Sequence, residues 1–183
     1  GDWIVTLLFE EMSGREAIFC MPTQLRAGYV NFTVGSILHW IKVPDRAAVW
    51  GSGIIREDVS FEKPRKTYAV RGPRSRQRMI NLGYDCPEIY GDPALTMPLL
   101  FPIKASPQYD LGIVPHFVDA DIAREAFHGR DDIRIIDVKS PPRVVAQEIA
   151  SCRRVASSSL HGIIVAHAYG VPSMRLIFSK KLA

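Results

Sequence analysis

The residues best suited to chemistry fall in short polar segments that follow apolar runs. The richest is Ser157-Ser158-Ser159-Leu160-His161-Gly162, three serines and a histidine set between a strand-like run and a helix-like one. A helix start offers free N–H groups and partial positive charge, which favour an anion. Serine hydroxyls would add donors, and His161 could bind a phosphate or deliver a proton. The same serines could simply cap the helix while His161 packs quietly. Arg71-Gly72-Pro73-Arg74-Ser75 repeats the logic earlier in the chain. Arg71 closes a strand, Gly72 permits close backbone approach and Pro73 sets the turn. An arginine there can fork onto a carboxylate or phosphate, or can be an ordinary turn residue at the surface. Gly51-Ser52-Gly53 could line the same site but is too short for a dinucleotide or P-loop fingerprint. His116, after Pro115, is a strand-end histidine that could face a ligand. Asp92, Asp119, Asp121 and Asp137 show no metal-ligand spacing, and Asp92 before Pro93 reads as a turn residue. No GxSxG elbow is present.

These segments need strands and helices to hold them. Tyr29–Leu38 and Ala47–Trp50 are apolar and run into glycine, as buried parallel strands do at their carboxyl ends. Thr67–Val70 is a third strand, and Ser75 is placed to cap a helix reaching Leu82 and stopped by Gly83. Residues 93–108 carry Pro93, Pro98, Pro102 and Pro107, a density that suits an interdomain crossing. The pattern then restarts. Strands are expected at Leu111–Pro115, Ile133–Val138, Arg154–Ala156 and Pro172–Phe178. Helices are expected at Ala120–Phe127, from Pro141-Pro142 to Cys152, and at Ile163–Tyr169, where His167 would be a packed core residue. This β-α-β-α-β-α-β order predicts a parallel sheet covered by helices, hence an α/β protein. The expected organisation is an incomplete first domain at 1–98, a crossing at 99–108 and a second domain at 109–183.

Composition narrows the functional classes. The 183 residues are 47% hydrophobic, with a net charge of +4 and a pI near 9.1. That composition is globular, and no apolar run reaches the ~18 residues of a membrane span. The basic excess concentrates in Lys63, Arg65, Lys66, Arg71, Arg74, Arg76 and Arg78 with no acid among them. Such a cluster either attracts an anion or is a solvated basic surface. Only Tyr68 interleaves with it, which argues against single-stranded nucleic acid. Cys20, Cys86 and Cys152 are odd in number and form no CxxC, so neither a zinc site nor a disulfide framework is expected, and a reducing cytosol fits.

Several motifs occur together in a fixed order: Val49-Trp50-Gly51-Ser52-Gly53, Val70-Arg71-Gly72-Pro73, Gly91-Asp92-Pro93-Ala94-Leu95, Val114-Pro115-His116, Ser158-Ser159-Leu160-His161-Gly162 and Ala168-Tyr169-Gly170-Val171-Pro172. This ordered set resembles the polysaccharide pyruvyl transferase family. The resemblance runs from about Val34 to Pro172 and does not extend to residues 1–28. The family's N-terminal Asn-Phe-Gly-Asp-like loop and a C-terminal stretch are not matched, which reads as a fragment.

The resemblance implies a GT-B-like fold of two Rossmann-like halves facing a cleft. It implies phosphoenolpyruvate as donor, a sugar diol on a lipid-linked or polymeric glycan as acceptor, and no metal or cofactor. Nucleic acid is not an implied partner, whereas peripheral contact with the inner face of a membrane is compatible with it. The family's donor-holding residues map onto Arg71, Leu160 and His161, with Lys181 or Lys180 as the lysine. His161 is then either the general acid or the phosphate clamp. Ser158, Ser159, Gly51, Ser52, Gly53 and His116 would line the donor. A nucleotide-sugar glycosyltransferase of GT-B type and an inactive, glycan-binding relative remain as alternatives.

Overall fold

Short segments of three or four residues form the strands, β2 and β4 of them running into glycine or proline, and the computed structural model describes residues 2–18 and 28–178. Lys180, Lys181 and Cys20 lie outside the described residues. The chain divides into two compact units, Gly1–Pro93 and Ala94–Ala183. The division falls ahead of the crossing expected at 99–108. Pro93–Thr96 and the short helix Met97–Leu100 form helical turns, and Tyr169 Oη donates to Phe101 O at 2.9 Å.

The first unit begins with helix α1, Asp2–Ser13, which buries Ile4 and Leu8. Strands β1 (Val30–Phe32), β2 (Ala47–Trp50) and β3 (Lys66–Ala69) form a parallel sheet in that order. Val30 pairs with Ala47, and Ala48 with Lys66. β2 alternates buried and half-buried residues, as a strand with one covered face should. Phe32, Leu38, Ile41, Val49, Val70 and Met79 form the core. Helix α2, Pro73–Asn81, follows β3 and buries only Ser75 and Met79, one turn apart. Its N-cap is Gly72 with proline at the first helical position, so Ser75 is not the cap expected from sequence. The helix ends ahead of Gly83, whose φ of 79° completes a left-handed stop.

The second unit repeats strand and helix. After α3 (Met97–Leu100) come β4 (Leu111–Val114), α4 (Ala120–Ala126), β5 (Ile133–Ile135), α5 (Pro142–Ala150), β6 (Val155–Ser157), α6 (Leu160–Ala168) and β7 (Ser173–Arg175). All four strands are parallel, in the order β5-β4-β6-β7. The central strands are the most buried: all of β6, and β4 from Gly112 onward. Ile113, Ala123 and Ala156 anchor the core, with Phe127 and Phe178 against them. From β4 the chain moves to β5 on one side, then returns past β4 to β6 on the other. The β4/β6 boundary is therefore the topological switch point, where open parallel sheets bind ligands. Helix α6 starts at Leu160 rather than Ile163, which draws His161 and Gly162 into its first turn. His167 is exposed on that helix, not packed in the core as expected.

Among the described residues no helix is long and apolar enough to cross a membrane.

Candidate active site

In the first unit the site begins where β2 and β3 end side by side. Gly51 carries a φ of 108°, and a Cβ there would overlap the Pro93 ring, so the turn after Trp50 needs glycine. The loop is tied down by backbone bonds: Gly51 N donates to Ala69 O at 2.9 Å, Gly53 N to Gly35 O at 2.9 Å and Arg71 N to Ser52 O at 3.1 Å. Ser52 is fully buried and its hydroxyl donates to Gly35 O at 3.0 Å. Ser75 is buried in the first turn of α2 and accepts from Ile54 N at 3.3 Å. Loop and helix are thereby pinned together.

Arg71 lies on this platform. A Cβ at Gly53 would stand 2.7 Å from Arg71 Nη2, 2.8 Å from Cζ and 2.9 Å from Nε, so the guanidinium rests directly on the glycine backbone. Nη2 donates weakly to Ile54 O at 3.4 Å. Nη1 is buried with no hydrogen-bond partner among the described residues. An unspent, buried guanidinium donor is costly unless something else accepts from it. Burial lowers the Arg71 pKa and the field of nearby Asp92, itself buried, raises it; a guanidinium stays cationic under such pressure. Arg71, Ile54, Gly72, Pro73 and Ser75 line a recess of about 420 Å³. The volume is within the usual range for a small-molecule site.

The basic stretch around Arg71 is dispersed. Arg76 donates to Cys86 O at 3.2 Å, and Arg78 donates to Val59 O and Asp58 O at 2.5 and 3.1 Å. Lys63 and Arg74 face Asp85 and Glu57 at 3.9 and 3.4 Å. Arg65 and Lys66 lie over the rings of Tyr29 and Tyr68. Of the seven cations, Arg71 is the one laid on the glycine loop.

In the second unit the polar segments meet at the β4/β6 switch point. His116 follows β4, Ser157 closes β6, and Ser158 to His161 lead from it into α6. Ser157 is fully buried; its hydroxyl donates to Val114 O at 2.8 Å and accepts from Ser159 N at 3.0 Å. Ser158 accepts from His116 N at 2.9 Å and donates to Asp119 Oδ2 at 2.7 Å. Ser159 is the N-cap by backbone, and its side chain caps no amide. Two of the three serines are thus committed within the protein, while the Ser159 hydroxyl stands at the helix start. The first intrahelical bond runs from Ile163 N to Ser159 O, so the amides of residues 160–162 precede the helical ladder. His161 is half-buried among them and Leu160 is exposed. His116 Nδ1 accepts from Val118 N at 3.4 Å, and its ring lies tilted by 37° against exposed Phe117 with centroids 4.4 Å apart. A Cβ at Gly162 would overlap Ser157 Oγ and stand 2.7 Å from Val114 Cγ1, so α6 presses on the strand ends as only glycine allows.

Gly51, Ser52, Gly53 and Arg71 are brought together in the first unit, and His116, Ser158, Ser159, Leu160 and His161 in the second. Sequence reasoning took Asp119 only as a carboxylate without metal spacing and Ser75 only as a helix cap, and did not foresee the fit of Gly162. Asp119 carried a usable signal: an aspartate just ahead of a predicted helix is an N-terminal residue by type. Among the described residues no group of three or more His, Cys, Asp or Glu is placed to hold a metal ion.

Two parallel-sheet α/β units, each with a polar loop cluster at its strand carboxyl ends, make an α/β architecture consistent with Rossmann-like halves. Within that architecture the chain belongs to the polysaccharide pyruvyl transferase family, whose profile matches residues 48–177. It is also similar to "Uncharacterized protein L143" of Acanthamoeba polyphaga mimivirus, at 29% identity over 130 residues. That similarity covers 68% of this chain and 45% of the viral protein, so the matched region is less than half of that relative's length. No solved structure matches.

Proposed function

We propose that the protein transfers a pyruvyl group from phosphoenolpyruvate to a sugar diol of a cell-surface or exported glycan, forming a pyruvate ketal. The observation that carries this reading is the family match across residues 48–177, a span that includes both loop clusters. The Arg71 guanidinium, with Nη1 unpaired among the described residues and a small recess beside it, supports an anionic donor.

In this reading the donor's methylene carbon takes a proton and its C2 gains oxocarbenium character. One sugar hydroxyl adds to C2, the C2–O bond to phosphate breaks, and the second hydroxyl closes the ketal. The two hydroxyl protons replace the one delivered to carbon and the one that leaves with phosphate. Arg71 holds one anionic group of the donor through charge-assisted hydrogen bonds. His161, in the first turn of α6, delivers the proton or clamps the phosphate with the helix amides.

The test is direct. The purified chain is incubated with phosphoenolpyruvate and glycans bearing free diols, and phosphate release and the ketal methyl proton signal are followed. Stoichiometric appearance of both is expected. No binding of phosphoenolpyruvate, together with binding of a nucleoside diphosphate, would replace the reading with glycosyl transfer.

A further inference from the structure

The switch point of the second unit holds a buried carboxylate. Asp119 is 1% exposed and stands where the turn after β4 becomes α4. Its Oδ2 accepts from the Ser158 hydroxyl at 2.7 Å, and the same oxygen of Ser158 accepts from His116 N at 2.9 Å. Asp119 N in turn donates to His116 O at 2.8 Å, and Ser158 N donates to Val114 O at 3.2 Å. These bonds close a ring across the switch point. It joins the turn carrying His116 to the turn carrying Ser159 and His161, residues far apart in sequence.

We propose that Asp119 is a positioning residue of the donor site, acting through Ser158 to hold the His116 and His161 turns in one geometry. The inference rests on the reading of this region as a donor site. The Ser158 hydroxyl spends its one proton on Asp119 and one of its two lone pairs on His116 N, so it has no donor left to offer an anionic ligand and serves as a strut. Loss of the carboxylate leaves a half-buried hydroxyl without its acceptor and frees the β4 turn to shift. Misplacing catalytic groups by about 1 Å is enough to cost up to ~10²-fold in rate.

The variants Asp119→Asn, Asp119→Ala and Ser158→Ala separate geometry from charge. Asparagine keeps an oxygen acceptor for Ser158 and alanine does not. For the wild-type chain and each variant, phosphoenolpyruvate affinity, kcat and KM are measured, with the exchange rate of the His116 amide. Both alanine variants are expected to lose roughly 10- to 100-fold in kcat with a smaller change in KM. Both should exchange the His116 amide faster, and Asp119→Asn should restore kcat and protection. Ser158→Ala removes only a hydroxyl and keeps the test open if Asp119→Ala fails to fold. Wild-type turnover in Ser158→Ala, or a defect in Asp119→Asn equal to that of Asp119→Ala, would overturn the proposal. A wild-type chain that does not bind phosphoenolpyruvate overturns the functional reading instead. The strut is then judged by the His116 amide alone, and protection that survives Ser158→Ala would remove it.

Discussion

Gly53→Ala should separate donor binding from stability. The backbone at Gly53 is not in the left-handed region, so alanine is conformationally allowed there. The new Cβ would stand 2.7 Å from Arg71 Nη2 and 2.8 Å from Cζ. Comfortable carbon contacts to heavy atoms begin at about 3.5 Å, so the guanidinium must retreat by nearly 1 Å. It is the far end of a flexible side chain and can do so cheaply. Its one weak bond, to Ile54 O at 3.4 Å, would lengthen beyond use. The guanidinium's placement at the wall of the recess would be lost with it. A hydrogen bond to a charged group contributes about 1.5–3 kcal/mol. At 1.4 kcal/mol per decade, losing one predicts a ~10- to 100-fold rise in the Kd for phosphoenolpyruvate. Stability should change by less than ~1 kcal/mol, because alanine also restricts the unfolded chain. Gly51→Ala provides the contrast: φ of 108° and overlap with Pro93 make it a folding defect first. Titration calorimetry with phosphoenolpyruvate and a thermal melt read the two effects apart. Arg71→Lys should weaken binding comparably, and Gly53→Ala added to it should cost little more, since both act through one group. A Gly53→Ala protein that binds phosphoenolpyruvate like the wild type would refute the placement of Arg71 as donor ligand.

Gly162→Ala sets a Cβ against Ser157 Oγ and Val114 Cγ1, atoms anchored on strand ends. It should cost ~1–3 kcal/mol, seen as a lower Tm and denaturation midpoint. His161→Ala should lower kcat by ~10²-fold or more in phosphate release, and an unchanged rate would remove it from the chemistry. For His39, burial first and the fields of Arg56 and Lys42 next hold the pKa below the usual 6.5, against a backbone hydrogen bond to Ser36. The unfolded chain therefore binds the extra proton. Stability is present above 6.5 and is lost as pH falls through the folded-state value. Tm should drop on acidification across that window, and His39→Gln should flatten the drop. Equal pH slopes in wild type and variant would show that His39 does not carry it.

The strands were legible where apolar runs are bounded by glycine or proline. Ala47–Trp50 forms β2 with the expected bounds, and Leu111–Val114 and Ala120–Ala126 differ from expectation by one terminal residue. Helix starts were harder. Three consecutive serines are equal capping candidates by type, and local sequence cannot rank them. Bonds to the end of β4 and to the turn after it decide the matter, because Val114 O and Asp119 occupy the hydroxyls of Ser157 and Ser158 and leave Ser159 at the boundary. Ser75 was misassigned for a related reason. Pro73 fits the first helical turn better, and the Ser75 side chain is taken by the amide of Ile54, a partner outside the helix. Charge counting had a similar limit: the stretch from Lys63 to Arg78 looks uniform in sequence, while its members face carbonyls, carboxylates and rings.

His116 and Ser158 were each singled out as strand-end residues, yet nothing local said that they meet. A β-α-β-α-β-α-β pattern fits several strand orders, and only the order β5-β4-β6-β7 makes β4 and β6 neighbours with connections leaving in opposite directions. That order converts two separate strand ends into one site. It also explains why Asp119 looked inert in sequence. Its value comes from a hydroxyl supplied by the neighbouring strand end, and a carboxylate sought as a metal ligand or a general base would be passed over. In a parallel sheet, the polar residue just after a strand-end histidine is therefore worth testing against every serine that another strand end could bring alongside it. Here such a pairing joins Asp119 to Ser158 at 2.7 Å.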